Sequence, residues 1–190
     1  MDPAPDSRFE TRRRRLLDAA ERVFVRDGLR GATMAGIATE AGVVKATAYV
    51  YFANKDVAFQ AVATRIASRL CEAVDIGFAS HVDADDGLES ALIAKEALAY
   101  DLAHGSPHAR DLLAAKNAMA AEAFNLADAR ILARFIEALV ELRISNPQQA
   151  AGLILAGGVG LAQTAQSRDA LARDLGRFVR AIVAGLRTSA

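Results

Sequence analysis

From Thr33 to Lys55 the chain reads TMAGIATEAGVVKATAYVYFANK, and its apolar positions describe two short helices joined by a tight turn. Ile37, Ala38 and Ala41 fall at i, i+1 and i+4 on one face of the first, and Ala48 and Phe52 give an i, i+4 edge to the second. Gly42 between them suits the left-handed conformation that reverses a chain, and Thr33 is the expected N-cap of the first helix. Val43 is apolar just past the turn, where a side chain can plug the wedge between two crossing helices. The remaining faces of the second helix carry Lys45, Thr47, Tyr49 and Tyr51. Cationic, hydroxyl and phenolic groups on the open face of a short helix suit insertion into a major groove, with the preceding helix lying across the backbone.

Around this pair the same period predicts further helices. Residues 1–7 show no periodicity and are read as a disordered tail. A helix then runs from the arginines Arg12–Arg15 to about Asp27, with Leu16, Ala20, Val23 and Phe24 as its stripe and Gly28 as its stop. Asp56 to about Ala79 forms one long helix through Val57, Val62, Ile66, Leu70, Val74 and Phe78. Residues 81–87 are a loop in which Asp85 or Asp86 caps the next helix, whose stripe is Leu88, Leu92, Ile93, Leu98 and Tyr100 before Gly105. Ser106-Pro107 opens a helix through Leu112, Leu113 and Met119 to about Phe124, and Asp128 caps another bearing Ile131, Leu132, Phe135, Ile136, Leu139 and Leu142. Asn146-Pro147 repeats the cap-and-proline signal ahead of AAGLILAGGVGLAQTAQ. A last helix from about Asp169 carries Leu171, Leu175, Phe178, Val179, Ile182, Val183 and Leu186.

Composition agrees with an all-α fold: 53% of the 190 residues are hydrophobic and only 4 are proline. The net charge of zero is assembled unequally, with −2 in residues 1–7, +5 in residues 8–55 and −3 in residues 56–190. A basic head on an acidic body is the polarity expected if only the head meets phosphate. Four arginines at the start of a helix oppose its dipole, at a few tenths of a kcal/mol each. Phosphate contact would explain their presence, with Arg8 reaching a minor groove; the alternative is a solvated charged face. The single cysteine, Cys71, reads as a core thiol rather than a redox sensor. No signal-peptide core is present, and the apolar run 150–162 is shorter than the roughly 20 residues a bilayer crossing needs, so a cytoplasmic location with no membrane partner is expected.

The residues Gly31, Ile37-Ala38, Ala41-Gly42-Val43, Thr47, Tyr49, Tyr51-Phe52 and Asn54-Lys55-Asp56 closely resemble the DNA-binding segment of the tetracycline-repressor (TetR) family over residues 12–60. Two positions depart from that pattern. Val44 stands where a capping Ser is usual, removing a cap of about 1 kcal/mol, and Ala46 replaces the usual Gly or Pro, leaving a methyl for a thymine contact. The resemblance implies a three-helix helix-turn-helix DNA-binding domain at 8–56 and a helical ligand-binding and dimerisation domain at 57–190. It implies DNA contacts from Thr33, Lys45, Ala46, Thr47, Tyr49, Tyr51 and Lys55: Lys45 and Tyr51 toward base edges, Thr47 toward base or phosphate, Tyr49 and Lys55 toward phosphate. Tyr49 remains open to a core role.

The same resemblance implies a ligand-responsive repressor that binds a palindromic double-stranded DNA operator as a homodimer and is released by a small hydrophobic effector, with no cofactor. Phe78, Tyr100, Asn117, Met119, Phe124 and Phe135 are candidate pocket walls, although each taken singly reads more readily as core. Gly152, Ala156 and Gly160 repeat at i, i+4 and i+8 and, with Leu175, Phe178 and Ile182, are candidates for a two-fold four-helix interface; burial of both helices within one subunit is the alternative. Metal readings are poor, because Asp83, Asp85, Asp86 and Glu89 lack the remaining ligands of a calcium loop and Gly105-Ser106-Pro107 breaks the helix between His104 and His108. None of the familiar hydrolase, zinc-protease or phosphate-loop motifs occurs, so the chain is not expected to be an enzyme. A helical adaptor or sensor that no longer binds DNA is the competing reading, supported by Val44 and Ala46.

Overall fold

The computed structural model describes residues 5–105 and 121–188. The described residues form eight helices and no strand: α1 (Pro5–Gly31), α2 (Met34–Glu40), α3 (Lys45–Tyr51), α4 (Lys55–Ala79), α5 (Ala84–His104), α6 (Ala121–Glu141), α7 (Pro147–Thr164) and α8 (Arg168–Thr188). They group into two compact units, one holding residues 5–66 with 103–105 and 121–124, the other residues 67–102 with 125–188. The division therefore falls within α4 at Ile66.

In the first unit Leu16, Ala20, Val23 and Phe24 of α1 are buried with Ile37 and Ala38 of α2, Ala48 of α3 and Phe52. From α4 come Ala58, Phe59 and Val62; the Phe59 ring meets Phe24 edge-on at 5.3 Å, a favoured aromatic geometry. Val57, expected in the stripe, is instead exposed. The five-residue step from Val57 to Val62 does not fit a helical face, and Ala58 and Phe59 take that place. Arg65 of α4 bonds Asp18, Glu21 and the Leu17 carbonyl of α1.

The second unit is built on close helix approaches. A Cβ at Gly77 of α4 would lie 2.4 Å from the Ala91 Cα of α5, and one at Gly157 of α7 would lie 2.2 Å from Phe178 Cζ of α8. The neighbouring Gly158 faces α5 instead, where a Cβ would meet Leu92 Cδ1 at 2.8 Å. Phe78 and Phe135 stack edge-on at 5.4 Å, and Cys71 is buried with Sγ 3.8 Å from the Ala127 carbonyl. Burial pushes its thiol pKa up, which fits the core reading and lowers its reactivity. One charged pair is also internal: Glu96 is only 2% exposed and accepts from Lys95 Nζ at 2.6 Å.

Several expected boundaries are corrected. α1 begins at Pro5, so residues 5–7 are helical; proline is tolerated in a first turn, and Phe9 in the second turn docks onto Tyr51. At the other end Gly28 adopts φ 69°, breaking the helix as expected. α5 starts at Ala84, with the Asp83 carbonyl taking the first helical bond from Gly87 N at 3.0 Å, so Asp85 and Asp86 lie inside its first turn rather than at the cap. Asp128 does not open a helix: α6 passes through it unbroken, since Asn125-Leu126-Ala127 contains no helix breaker. Asn146 precedes Pro147 as expected but sits in the left-handed region at φ 54° and makes no side-chain cap bond. The helix start at Ser106-Pro107, with Leu112, Leu113 and Met119, lies outside the described residues, as do Asn117 and His108.

Candidate nucleic-acid interface

The α2–α3 pair is held by its own local chemistry. Thr33 Oγ1 accepts from Gly36 N at 3.0 Å, capping α2 as expected, and Gly42 takes φ 67° at the turn. The turn closes with Val43 N bonding to the Ala38 carbonyl at 3.0 Å. Val44 occupies the cap position of α3 with no side-chain bond, and only the backbone bond from Thr47 N to its carbonyl, 2.9 Å, closes that end. Arg22 and Arg26 of α1 both bond Glu40 at the end of α2, at 2.7 and 3.2 Å. These two guanidiniums hold the Glu40 carboxyl below the usual carboxylate range, Arg22 contributing most.

With Ala48 and Phe52 buried, α3 turns its opposite side to solvent. That side carries Lys45, Ala46, Tyr49 and Val50, flanked by Val44 and Ala53. Tyr49 is 44% exposed, which excludes the core role left open for it, and Lys45 Nζ lies 5.8 Å above its ring. Val50 is 71% exposed and Val44 70%. Val50 is not in the family motif, so only its place one helical turn beyond Ala46 could have marked it from sequence.

Three of the expected contacts are also engaged within the fold. Tyr51 is half-buried and stacks on Phe9 of α1, ring centroids 4.6 Å apart, which turns it from the open face of α3 toward α1. Lys55 is half-buried and donates from Nζ to the Leu29 carbonyl at 2.8 Å, tying the start of α4 to the segment after Gly28. Thr33 spends an acceptor on its cap, which leaves its hydroxyl hydrogen to donate outward. Asn54, which had no role assigned from the sequence, caps α4 by accepting from Val57 N at 2.9 Å.

The candidate interface residues of α7 and α8 separate into two sets. Gly152, Ala156 and Gly160 are exposed with Leu153 and Val159, and a Cβ at Gly152 or Gly160 would meet nothing within 4 Å. Leu175 is fully buried inside its own unit with Leu171, Val179 and Val183, so it is not an exposed contact residue. Phe178 packs on Gly157, and Ile182 is half-buried. Of the candidate pocket residues, Phe78 is half-buried beneath Arg134 at 5.2 Å, Tyr100 is half-buried and Phe124 is buried. Asp85 and Glu89, part of the acidic group considered for calcium, pair with Arg187 and Arg180 of α8.

Residues 16–62 match the family described as bacterial regulatory proteins, tetR family. Over 63 residues the chain is 41% identical to the HTH-type nicotine-responsive transcriptional repressor HdnoR of Paenarthrobacter nicotinovorans; the match spans 33% of this chain and 32% of that protein. Along nearly its whole length the fold is similar to that of a TetR-family transcriptional regulator from Mesorhizobium loti, at TM-score 0.75 and 22% identity, covering 96% of this chain and 98% of the other. It is also similar to the regulator FadR from Bacillus subtilis in complex with stearoyl-CoA, at TM-score 0.64 and 19% identity over 87% of this chain and 96% of that one. No described helix is long and apolar enough to cross a membrane. The motif around Gly42 and the matched segment agree: residues 16–62 carry the DNA-binding segment of the tetR family of bacterial regulatory proteins, within an all-helical fold similar to that of TetR-family regulators.

Proposed function

We propose that this chain is a DNA-binding repressor that reads a duplex with α3 as a homodimer and is released by a small molecule. The observation carrying this is the outward face of α3, where Lys45, Ala46, Tyr49 and Val50 are exposed together while Ala48 and Phe52 anchor the helix from behind. Lys45 offers a donor for guanine, Ala46 and Val50 offer methyl groups for thymine, and Tyr49 and Thr33 offer hydroxyls for phosphate. Lys55 and Tyr51 serve this face by positioning rather than contact, since each is engaged with α1 or the segment following it. The repressor described as nicotine-responsive is 41% identical across the matched segment, which supports repression.

The pairing surface in this reading is the exposed strip of α7 through Gly152, Ala156 and Gly160, whose absent or single-methyl side chains let a second helix approach closely. A fold relative holds stearoyl-CoA, which supports an effector with a large apolar part. That effector must bind better to the state with the wrong head spacing, and DNA must weaken its binding by the same factor. Selection of bound duplexes from a random pool tests the reading. A recovered site with two-fold symmetry and half-sites about one helical turn apart, or a multiple of it, is the expected result. Failure to retain any duplex above non-specific competition would overturn it.

A further inference from the structure

Four consecutive arginines, Arg12–Arg15, stand exposed on α1, and none carries an ion pair or hydrogen bond among the described residues. They are not equivalent. Arg12 and Arg15 share one side of the helix and line a cleft of about 360 Å³ against the α2–α3 turn; Arg13 and Arg14 do not line it. Thr47, Val43 and Val44 form the opposite wall, and the buried Leu16 lies on the α1 side. No carboxylate lines this cleft. The two acids one and two turns further along α1, Asp18 and Glu21, are taken by Arg65.

We infer that this cleft is a phosphodiester site, in which Arg12 and Arg15 grip one or two backbone phosphates of the duplex strand running beside α3, with Thr47 donating from the other wall. The inference rests on the DNA-binding reading and identifies which cations serve it. Two like charges one turn apart repel, and an apolar wall strengthens any charge held between them, so the arrangement favours a bound anion. Guanidinium forks match phosphate oxygens in geometry as well as charge. The stack of Phe9 on Tyr51 makes Phe9 a positioning residue: it fixes the turn of α1 before Arg12 beside the last turn of α3, so the cleft follows the edge of the reading helix. A backbone contact of this kind sets register without carrying sequence information.

The test uses the full chain and a duplex recovered by selection, with affinity followed from about 50 to 200 mM salt, where each phosphate contact contributes about 0.9 to the slope of log K against log salt. Arg12→Gln with Arg15→Gln should reduce the slope by about 0.9 to 1.8 with base preference unchanged. Arg13→Gln with Arg14→Gln, which removes the same charge outside the cleft, should reduce it by less than half as much. Phe9→Ala should weaken binding with unchanged base preference and with helix content retained by circular dichroism. Equal slopes for the two arginine pairs, or no loss in the first, would overturn the cleft while Lys45→Ala still reports on the DNA reading. Retention of no duplex by the wild type would sink both. Inorganic pyrophosphate that raises the melting temperature of the wild type but not of the Arg12/Arg15 variant, with the duplex slope unchanged, would assign the cleft to a free phosphate anion and remove it from the duplex.

Discussion

The cations of the two units are used differently. In the second unit Arg130 reaches Asp75, Arg134 reaches Glu137, Arg168 reaches Asp101, Arg180 reaches Glu89 and Arg187 reaches Asp85, while Lys95 closes on the buried Glu96; Arg143 and Arg173, on separate elements, have no carboxylate partner among its described residues. In the first, Arg22, Arg26 and Arg65 are similarly engaged, but Arg12–Arg15 and Lys45 have no carboxylate partner among the described residues. Charges that acids of the same fold neutralise serve the fold. Charges left unneutralised on one surface raise the local potential there and favour an anionic partner. A net charge of zero conceals this division.

The sharpest way to break the contrast is to remove a cation from each class. Lys95→Met should destabilise the protein by about 3–5 kcal/mol in chemical denaturation, because Glu96 would be left as an isolated buried charge. Adding Glu96→Leu should recover much of that loss; if Lys95→Met alone costs under about 1 kcal/mol, the pair is not an internal charge pair in solution. Lys45→Ala should leave unfolding unchanged yet cost about 1–3 kcal/mol in duplex binding and shift base preference, read by gel shift on a panel of sites. Unaltered preference would place Lys45 on phosphate.

Lys55 separates the two classes at a single residue. Loss of its bond to the Leu29 carbonyl in Lys55→Ala should lower stability by about 1.5 kcal/mol while the salt slope of DNA binding stays as in the wild type. A slope reduced by about 0.9 with stability intact would return Lys55 to phosphate contact. Smaller still is Arg180→Ala, an exposed pair worth about 0.2–1 kcal/mol. Last, Glu40→Gln should matter wherever the pH lies above the ordinary carboxylate range, from about pH 5 upward. The folded carboxyl titrates lower than the unfolded one, so its stabilisation is present above the usual carboxylate range and is lost as pH falls through the folded value. Wild type and variant should therefore begin to approach each other in thermal denaturation at the ordinary carboxylate pKa of about 4 and converge only below it.

What the sequence revealed depended on distance along the chain. The Thr33 cap, the Gly42 turn and the Ala48–Phe52 edge are decided within a few residues, and each stands as read. The placements of Tyr51 and Lys55 depend on Phe9 and Leu29, which no local spacing brings to them. Width misled in the same way on α8. Its apolar stripe is broad enough for two neighbours, but periodicity does not say which column faces its own unit, and Leu175 proved to be inside. Asp128 shows the limit of cap chemistry: an acid that could start a helix does not do so where the preceding residues already continue one.

Gly157 and Gly158 give the second unit a constraint on its own history. Each lies against a different large side chain, Phe178 for one and Leu92 for the other, and neither has space for even a methyl group. Alanine at either position therefore requires the opposing side chain to shift or be trimmed, and a trimmed Phe178 or Leu92 leaves a void until the glycine changes. Among descendants of this chain each glycine and its partner should tend to change together.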